Sequence, residues 1–395
     1  MSLLPVAEAQ ARIFALGTPL PIEEAGLVEA VGRWAAQDIL ARRDQPSADL
    51  SAMDGYAIRY AERPGPWTVV GESAAGGGLG RPLAPHEAAR IFTGAPVPAG
   101  ADSVLIQEEA ARDGDRLLMS GEGPLKIGGN VRPRAMDFAQ GSRLIAAGAR
   151  ITARHVAIAA IGGHGALPVR RRPRIALIST GDELVPPGAP TPGALLPASN
   201  GPMLSALLAG HPAIVSDHGV IRDDLAAIAA GFRTAADEAD IIVTTGGASV
   251  GDHDLVRPAL LEAGATLDFW RVAMRPGKPL LAGTLGGAIV IGLPGNPVSA
   301  YVTARLFLLP LLAYLGGATD PLPPTRTVTL GAPLPATGGR ADYLRARIEG
   351  GRAYAPDGQD SAALAALVAA DGLIVRPANA PAALVGDSAE MLDLA

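Results

Sequence analysis

The sequence predicts an α/β multidomain protein. Its centre is a three-layer α/β/α domain, joined to a discontinuous helical linker unit, an inserted small β-rich module and a β-rich, barrel-like terminal domain. Three observations lead there. After Pro173, apolar runs of strand length alternate with helical patterns. Between residues 45 and 141, short strand-like runs are separated by Gly, Pro and Asp. A helical pattern stands on both sides of that module, so the unit around it is discontinuous.

Val6–Leu16 and Ile22–Leu40 carry apolar residues at helical spacing. The stretch 44–54 is polar and rich in turn formers. Strands are expected at Trp67–Val70, Ala89–Phe92, Val104–Gln107 and Leu117–Met119. A helical pattern returns over Ala146–Ala160. Residues 1–44 and 142–172 thus form the linker unit, with 45–141 inserted. The α/β domain, 173–318, begins with Arg174–Thr180, a continuous apolar run of the kind buried on both faces. Asn200 is expected to cap a helix with Pro202 in its first turn. Ala213–Ile221 is the next strand. Asp223 is expected to cap a helix with Leu225, Ile228, Ala229 and Phe232 on its apolar face. Asp240–Thr245 and Ala288–Gly292 are strands, and Leu255–Glu262 is a short helix. Pro297–Leu315 is a buried helix, bent near Pro310. Such alternation predicts a parallel sheet. In the terminal domain, 319–395, strands are expected at Thr327–Leu330, Tyr343–Ile348 and Leu373–Arg376, and a helix over Ser361–Ala370.

Composition excludes several function classes. With 395 residues, 48% hydrophobic and 18% charged, each domain can bury a sizeable core. A net charge of -6 with 4% aromatic residues argues against a nucleic-acid surface. The Arg170–Arg172 run with Arg174 reads as a solvated strand entrance. There are no cysteines, so thiolate chemistry is excluded. The six histidines lack zinc-ligand spacing. The amino terminus has no signal-peptide pattern, and Pro297–Leu315 carries Ser299, Tyr301, Thr303 and Arg305, so no membrane span is expected. The expected location is cytoplasmic.

Polar and glycine residues collect after the strands. The first ends in Ser179-Thr180-Gly181-Asp182-Glu183, the second in Arg222-Asp223-Asp224. The third runs on through Thr245-Gly246-Gly247, Ser249, Asp252 and Asp254, and the fourth through Pro294-Gly295-Asn296-Pro297. Parallel strands put these loops on one sheet edge, where open α/β folds bind ligands. Glycine-rich turns offer backbone N–H groups to an anion, and Asn296-Pro297 adds a helix start. Carboxylates at the same edge require a cation such as Mg²⁺ to sit beside phosphate. Each loop alone is most often just a turn or a cap; their convergence is what argues for a site. No P-loop is present, but Arg275 and Lys278 could hold a tetrahedral oxyanion.

The combination resembles the MoeA family of molybdopterin molybdenumtransferases. The resemblance rests on Ser51-Ala-Met-Asp54-Gly-Tyr-Ala57, Thr93-Gly-Ala-Pro-Val-Pro98, Gly129-Asn-Val-Arg132 with Asp137, and Ser179-Thr-Gly-Asp-Glu183. It continues through Thr245–Gly251, Arg275-Pro-Gly-Lys-Pro279 and Gly292–Ser299, in family order. It implies a MogA-like α/β/α domain and an elongated homodimer whose site is completed across subunits. It implies insertion of molybdate into adenylylated molybdopterin, with Mg²⁺-dependent release of AMP. By resemblance the functional carboxylates are Asp54, Asp137, Glu183, Asp223 and Asp254, of which Glu183, Asp223 and Asp254 hold the metal. The pterin nucleotide is bound by Thr93, Thr180, Gly181, Asp182, Asn200, Thr245, Gly246, Gly247, Ser249, Pro294, Gly295, Asn296 and Pro297. Molybdate falls to Arg275, Lys278, Pro279 and Arg345.

Two positions depart from the family pattern. Arg275 stands where relatives often have Lys, replacing a point donor by a planar fork. Ala366 falls where eukaryotic relatives have a serine. The family reading implies contacts with a molybdopterin adenylyltransferase and with molybdoenzymes, and admits tungstate as the oxyanion. Two alternatives stand beside it: an adenylyltransferase-like enzyme sharing the α/β domain, and a non-catalytic scaffold of the gephyrin type.

Overall fold

The computed structural model describes residues 3–246 and 255–394. Its centre is a six-stranded sheet in the order Ile214–Ile221, Arg174–Thr180, Ile241–Thr245, Ala288–Leu293, Leu281–Leu285, Thr266–Phe269. The first four strands are parallel. The last two are antiparallel, so the sheet is mixed rather than purely parallel. Leu281–Leu285 turns into Ala288–Leu293 through Gly286-Gly287, with Gly286 at φ +59. A two-residue link of that kind makes a hairpin, and a hairpin forces antiparallel pairing.

Strand residues divide by parity between two layers. Ile175 and Leu177 face a core shared with helices Val6–Ala15, Asn200–Ala209 and the long apolar helix. Ala176 and Ile178 face Ile228, Phe232, Val256 and Leu260 on helices Leu225–Glu238 and Val256–Ala263. This is the three-layer arrangement. The amino-terminal helix packs on the α/β core: Ala9 and Ile13 are fully buried there, and Gln10 Nε2 donates to Leu306 O at 2.9 Å.

Several local expectations are corrected. Ile22–Leu40 is not a helix. Ile22–Gly26 is a strand paired antiparallel with Ala166–Arg170, and Gly32 at φ +83 turns the chain that follows. Only Ala153–Ile161 is helical in the 146–160 stretch; His155 Nδ1 accepts from Thr152 N–H at 3.1 Å at its start. Asp224, not Asp223, caps Leu225–Glu238, accepting from Ala227 N at 2.8 Å. Asn200 lies within its helix, and its side chain reaches elsewhere. The irregularity in Pro297–Leu315 is a π turn at Ala304–Leu308, just before Pro310, which lacks the N–H an α turn would use. By length and composition this helix could cross a membrane, but 72% of its apolar window is buried inside the chain. It is a core helix.

The module at 45–141 holds a six-stranded sheet in the order Ser103–Ile106, Gly55–Ile58, Glu87–Ile91, Trp67–Ser73, Arg116–Met119, Ala110–Asp113. The carboxyl-terminal sheet closes on itself through Thr325–Leu330, Ala341–Glu349, Arg352–Tyr354, Gly372–Arg376 and Ser388–Asp393. Met274–Arg275 joins that barrel from the α/β domain, pairing parallel with Ala341-Asp342. The expected terminal helix is shorter than its pattern, Leu364–Val368.

Candidate active site

A cleft of about 770 Å³ opens at the carboxyl ends of the parallel strands. It lies at the paired strands Arg174–Thr180 and Ile241–Thr245, whose following connections lead to strands on opposite sides of the sheet, the usual ligand position in such folds. Its volume suits a small-molecule site, typically about 300–1,000 Å³. Thr180, Gly181, Glu183, Asn200, Asp223, Thr245, Gly246 and the Pro294–Pro297 turn all line it. Gly247, Ser249 and Asp254 lie outside the described residues, as does Asp252.

Close backbone approach shapes this edge. Gly246 has φ +92, and a Cβ there would stand 2.4 Å from Thr180 O. At Gly181, φ +146, a Cβ would meet the Glu183 carboxylate at 2.6 Å. A Cβ on Gly295 would come within 3.6 Å of Gly246 Cα, so these strand ends pack backbone on backbone. Asn200 Nδ2 donates to Gly295 O at 2.7 Å, which fixes the fourth loop against helix Asn200–Ala209. Below the edge, the Ser179 and Thr245 hydroxyls are 3.1 Å apart and buried.

The other end of the cleft is cationic. Arg275, Lys278 and Pro279 line it, with Arg340 from the barrel. Gly277, φ +105, has no room for a side chain against Thr303, which holds the Arg275–Pro279 turn in the wall. Arg275 Nη2 donates to Asp342 Oδ2 at 3.0 Å, a contact placed by the strand pairing of 275 with 342. Lys278 is exposed and takes part in no ion pair among the described residues.

Arg345 is not part of this wall. It is 2% exposed and donates to Gln359 Oε1, Ala363 O at 2.7 Å and Gly358 O at 3.1 Å. Burial lowers its pKa, partly offset by Asp360. Its guanidinium is engaged with backbone carbonyls and builds the 358–363 turn. That turn brings Gln359, Asp360 and Ser361 into the cleft. Asn296 stands at the start of its helix but does not cap it; its Nδ2 donates to Ser361 Oγ at 2.9 Å. Ala366 does not line the cleft, and Ser361 supplies the hydroxyl from this domain. Sequence reading missed Arg340, Gln359, Asp360 and Ser361 as site residues. The turn-forming run Gln359-Asp360-Ser361 was the signal available.

Asp182 also departs from expectation. It faces a neighbouring cavity, not the main cleft. Its Oδ1 accepts from Asp223 N at 3.2 Å, and Asp223 Oδ2 accepts from Asp182 N at 3.4 Å. The two loops thereby hold each other, leaving Asp223 and Glu183 on the cleft. Neither is ion-paired among the described residues. No group of three carboxylates or histidines converges among the described residues. Two unpaired carboxylates on one wall fit a cation that binds partly through ligand oxygens, as Mg²⁺ does.

Asp54, Thr93 and Asp137 lie in the β module and do not line the cleft of their own chain. Asp54 Oδ1 accepts from Thr93 N at 2.7 Å and Thr93 Oγ1 at 2.8 Å. These bonds hold the Asp54 carboxyl below its ordinary pKa, with help from Arg90. Gly55 is obligatory there, because a Cβ would stand 2.0 Å from Leu105 O. Ala52 N donates to Asn130 O at 2.8 Å and Asp137 N to Gln45 O at 2.9 Å, so the two motif loops are built side by side.

An open α/β sheet with a cleft at its switch point, walled by a barrel that adds cations, defines an α/β enzyme handling anionic ligands. Family profiles divide the chain in the same sense. "MoeA N-terminal region (domain I and II)" matches residues 4–163, "Probable molybdopterin binding domain" 176–314, and "MoeA C-terminal region (domain IV)" 327–394. A molybdopterin molybdenumtransferase of Haemophilus influenzae is 35% identical, over 83% of this chain and 81% of its own. Molybdopterin molybdenumtransferase 2 of Mycobacterium tuberculosis is 33% identical, over 93% and 94%. A crystal structure of the molybdopterin biosynthesis MoeA protein from Pyrococcus horikosii superposes with TM-score 0.86 at 28% identity, covering 99% of each chain. The chain belongs to the MoeA family of molybdopterin molybdenumtransferases, enzymes of molybdenum-cofactor biosynthesis.

Proposed function

We propose that this enzyme inserts molybdate into adenylylated molybdopterin and releases AMP. The observation that carries the reading is one cleft with two chemically distinct ends. Unpaired carboxylates and glycine turns stand at one, and Arg275, Lys278 and Arg340 at the other. Thr180, Gly181, Thr245 and Gly246 seat the phosphate-bearing part of the pterin nucleotide, together with Gly247, Ser249, Asn200 and Pro294–Pro297. Arg275, Lys278 and Arg340, beside Pro279 and Ser361, hold the molybdate oxygens near the dithiolene. Two Mo–S bonds form as two Mo–O bonds break, the two dithiol protons and two from solvent carrying the departing oxygens off as water, and one water cleaves the phosphoanhydride. Glu183 and Asp223, with Asp254, would hold Mg²⁺, which supplies charge neutralisation on the pyrophosphate when bound. Positioning and charge neutralisation carry most of the rate, as is usual in phosphoryl chemistry.

Asp54, Thr93 and Asp137 act in this reading on the cleft of a partner subunit, because they do not reach their own. The working unit is then a cytoplasmic homodimer, divided at residues 44/45, 141/142, 172/173 and 318/319. An adenylyltransferase would supply the substrate and molybdoenzymes would receive the product. Replacing Asp223 or Lys278 by Ala tests the assignment. Asp223→Ala is expected to abolish AMP release. Lys278→Ala is expected to raise the molybdate KM by about tenfold or more, the loss of one charged hydrogen-bond donor. Wild-type kinetics in both variants would overturn it.

A further inference from the structure

A separate cavity of about 530 Å³ lies where the linker unit, the α/β layer and the Pro321–Pro324 connection meet. Arg150, His211 and Arg305 line it. They come from three elements: the loop before helix Ala153–Ile161, the turn after Asn200–Ala209, and the π turn Ala304–Leu308. Arg150 Nη2 donates to Gly210 O at 3.3 Å, which sets its guanidinium beside His211. Arg305 donates to Asp393 O, yet its Nε–H is buried with no acceptor. None of the three is ion-paired among the described residues. Asp320 is the carboxylate lining the cavity, and it too is unpaired. Burial first, then the charges of Arg150 and Arg305, lower the His211 pKa, as uncompensated neighbouring cations must.

We infer that this cavity binds a phosphoryl dianion, independently of the catalytic cleft. Guanidinium forks match tetrahedral oxyanions, and the convergence of Arg150, His211 and Arg305 on one cavity, against the single carboxylate of Asp320, leaves net positive charge for one. Leu309, Pro310, Leu322 and Pro323 form the rest of the wall, so a phosphate monoester with a compact apolar body fits as well as inorganic phosphate. A bound dianion stabilises imidazolium. Affinity for the dianionic form, corrected for the ligand's own second ionisation, therefore rises as pH falls through the range where His211 takes up its proton, while the Asp320 carboxylate opposes binding.

The test is titration calorimetry on the full chain with inorganic phosphate and with AMP, at about pH 6 and about pH 8. Arg150→Gln is expected to weaken phosphate binding by about tenfold. His211→Gln is expected to flatten its pH dependence, and Lys278→Ala to remove only binding at the catalytic cleft, leaving the Arg150-dependent binding in place. AMP binding that exceeds phosphate and falls in Arg150→Gln identifies a monoester as occupant; equal affinities identify the inorganic ion. If Arg150→Gln does not fold, judged by its melting in phosphate-free buffer, Asp320→Asn decides instead and is expected to tighten binding. Equal affinity in wild type and these variants, or loss of all binding in Lys278→Ala, would overturn the inference.

Discussion

Gly246 and Arg345 mark what single residues decide here. Replacing Gly246 by Ala places a Cβ at φ +92, 2.4 Å from a carbonyl oxygen. The strain is on the order of 1–3 kcal/mol. Urea titration of Gly246→Ala is expected to register that loss, and ligand binding to fall with it. Retained stability would mean the loops relax freely. Arg340 and Arg345 separate two roles. Arg340→Ala is expected to raise the molybdate KM by about tenfold with unchanged melting. Arg345→Ala, which leaves buried carbonyls unpaired, is expected to cost about 2 kcal/mol or more in stability. The sequence reading singled out Arg345 and passed over Arg340, five positions earlier. Only burial distinguishes the one that reaches solvent from the one that braces a turn. Glycine and hydroxyl positions were legible, because their chemistry is local. Asp182 was not, because whether a carboxylate faces a cleft or a neighbouring loop depends on a partner from another strand.

Among the elements, the entrance to the central sheet carries a pH-dependent brace. Asp240 accepts from the Arg171 and Arg174 guanidiniums and from Arg174 N–H. Burial alone would raise its pKa, but those bonds outweigh it and hold it at about 2, against an ordinary 3.8. A depressed folded pKa means the stabilisation is present above the unfolded value and is lost as pH falls through the folded one. The contribution is on the order of 2 kcal/mol at neutral pH. Asp240→Asn is therefore expected to lower unfolding free energy by about that amount at neutral pH, and the gap should close below about pH 4. A gap that stays constant with pH would assign the effect to packing. Apolar strands at Arg174–Thr180 and Ile241–Thr245 announced themselves because both faces are buried. Ile22–Leu40 misled, since its helical spacing yields to strand pairing and to Gly32, and Ile22, Val28 and Val31 remain exposed. Thr266–Phe269 and Leu281–Leu285 went unread, although Gly286-Gly287 marked the hairpin from Leu281–Leu285 into Ala288–Leu293.

In the whole molecule, the α/β domain and the terminal barrel converge on one cleft, while the β-module motif stands off its own chain's site. If each site draws Asp54 from one subunit and Lys278 from the other, mixing Asp54→Ala with Lys278→Ala chains regenerates one intact site per mixed dimer. Statistical exchange of subunits then restores about a quarter of wild-type activity, where either variant alone has little. No restoration would place both residues in one subunit's site. The coupling of insertion to AMP release is tested most directly by stoichiometry. Purified enzyme supplied with adenylylated molybdopterin, Mg²⁺ and limiting molybdate should release one AMP for each molybdenum bound to dithiolene. AMP released at the same rate without molybdate, or molybdenum inserted with no AMP, would contradict it.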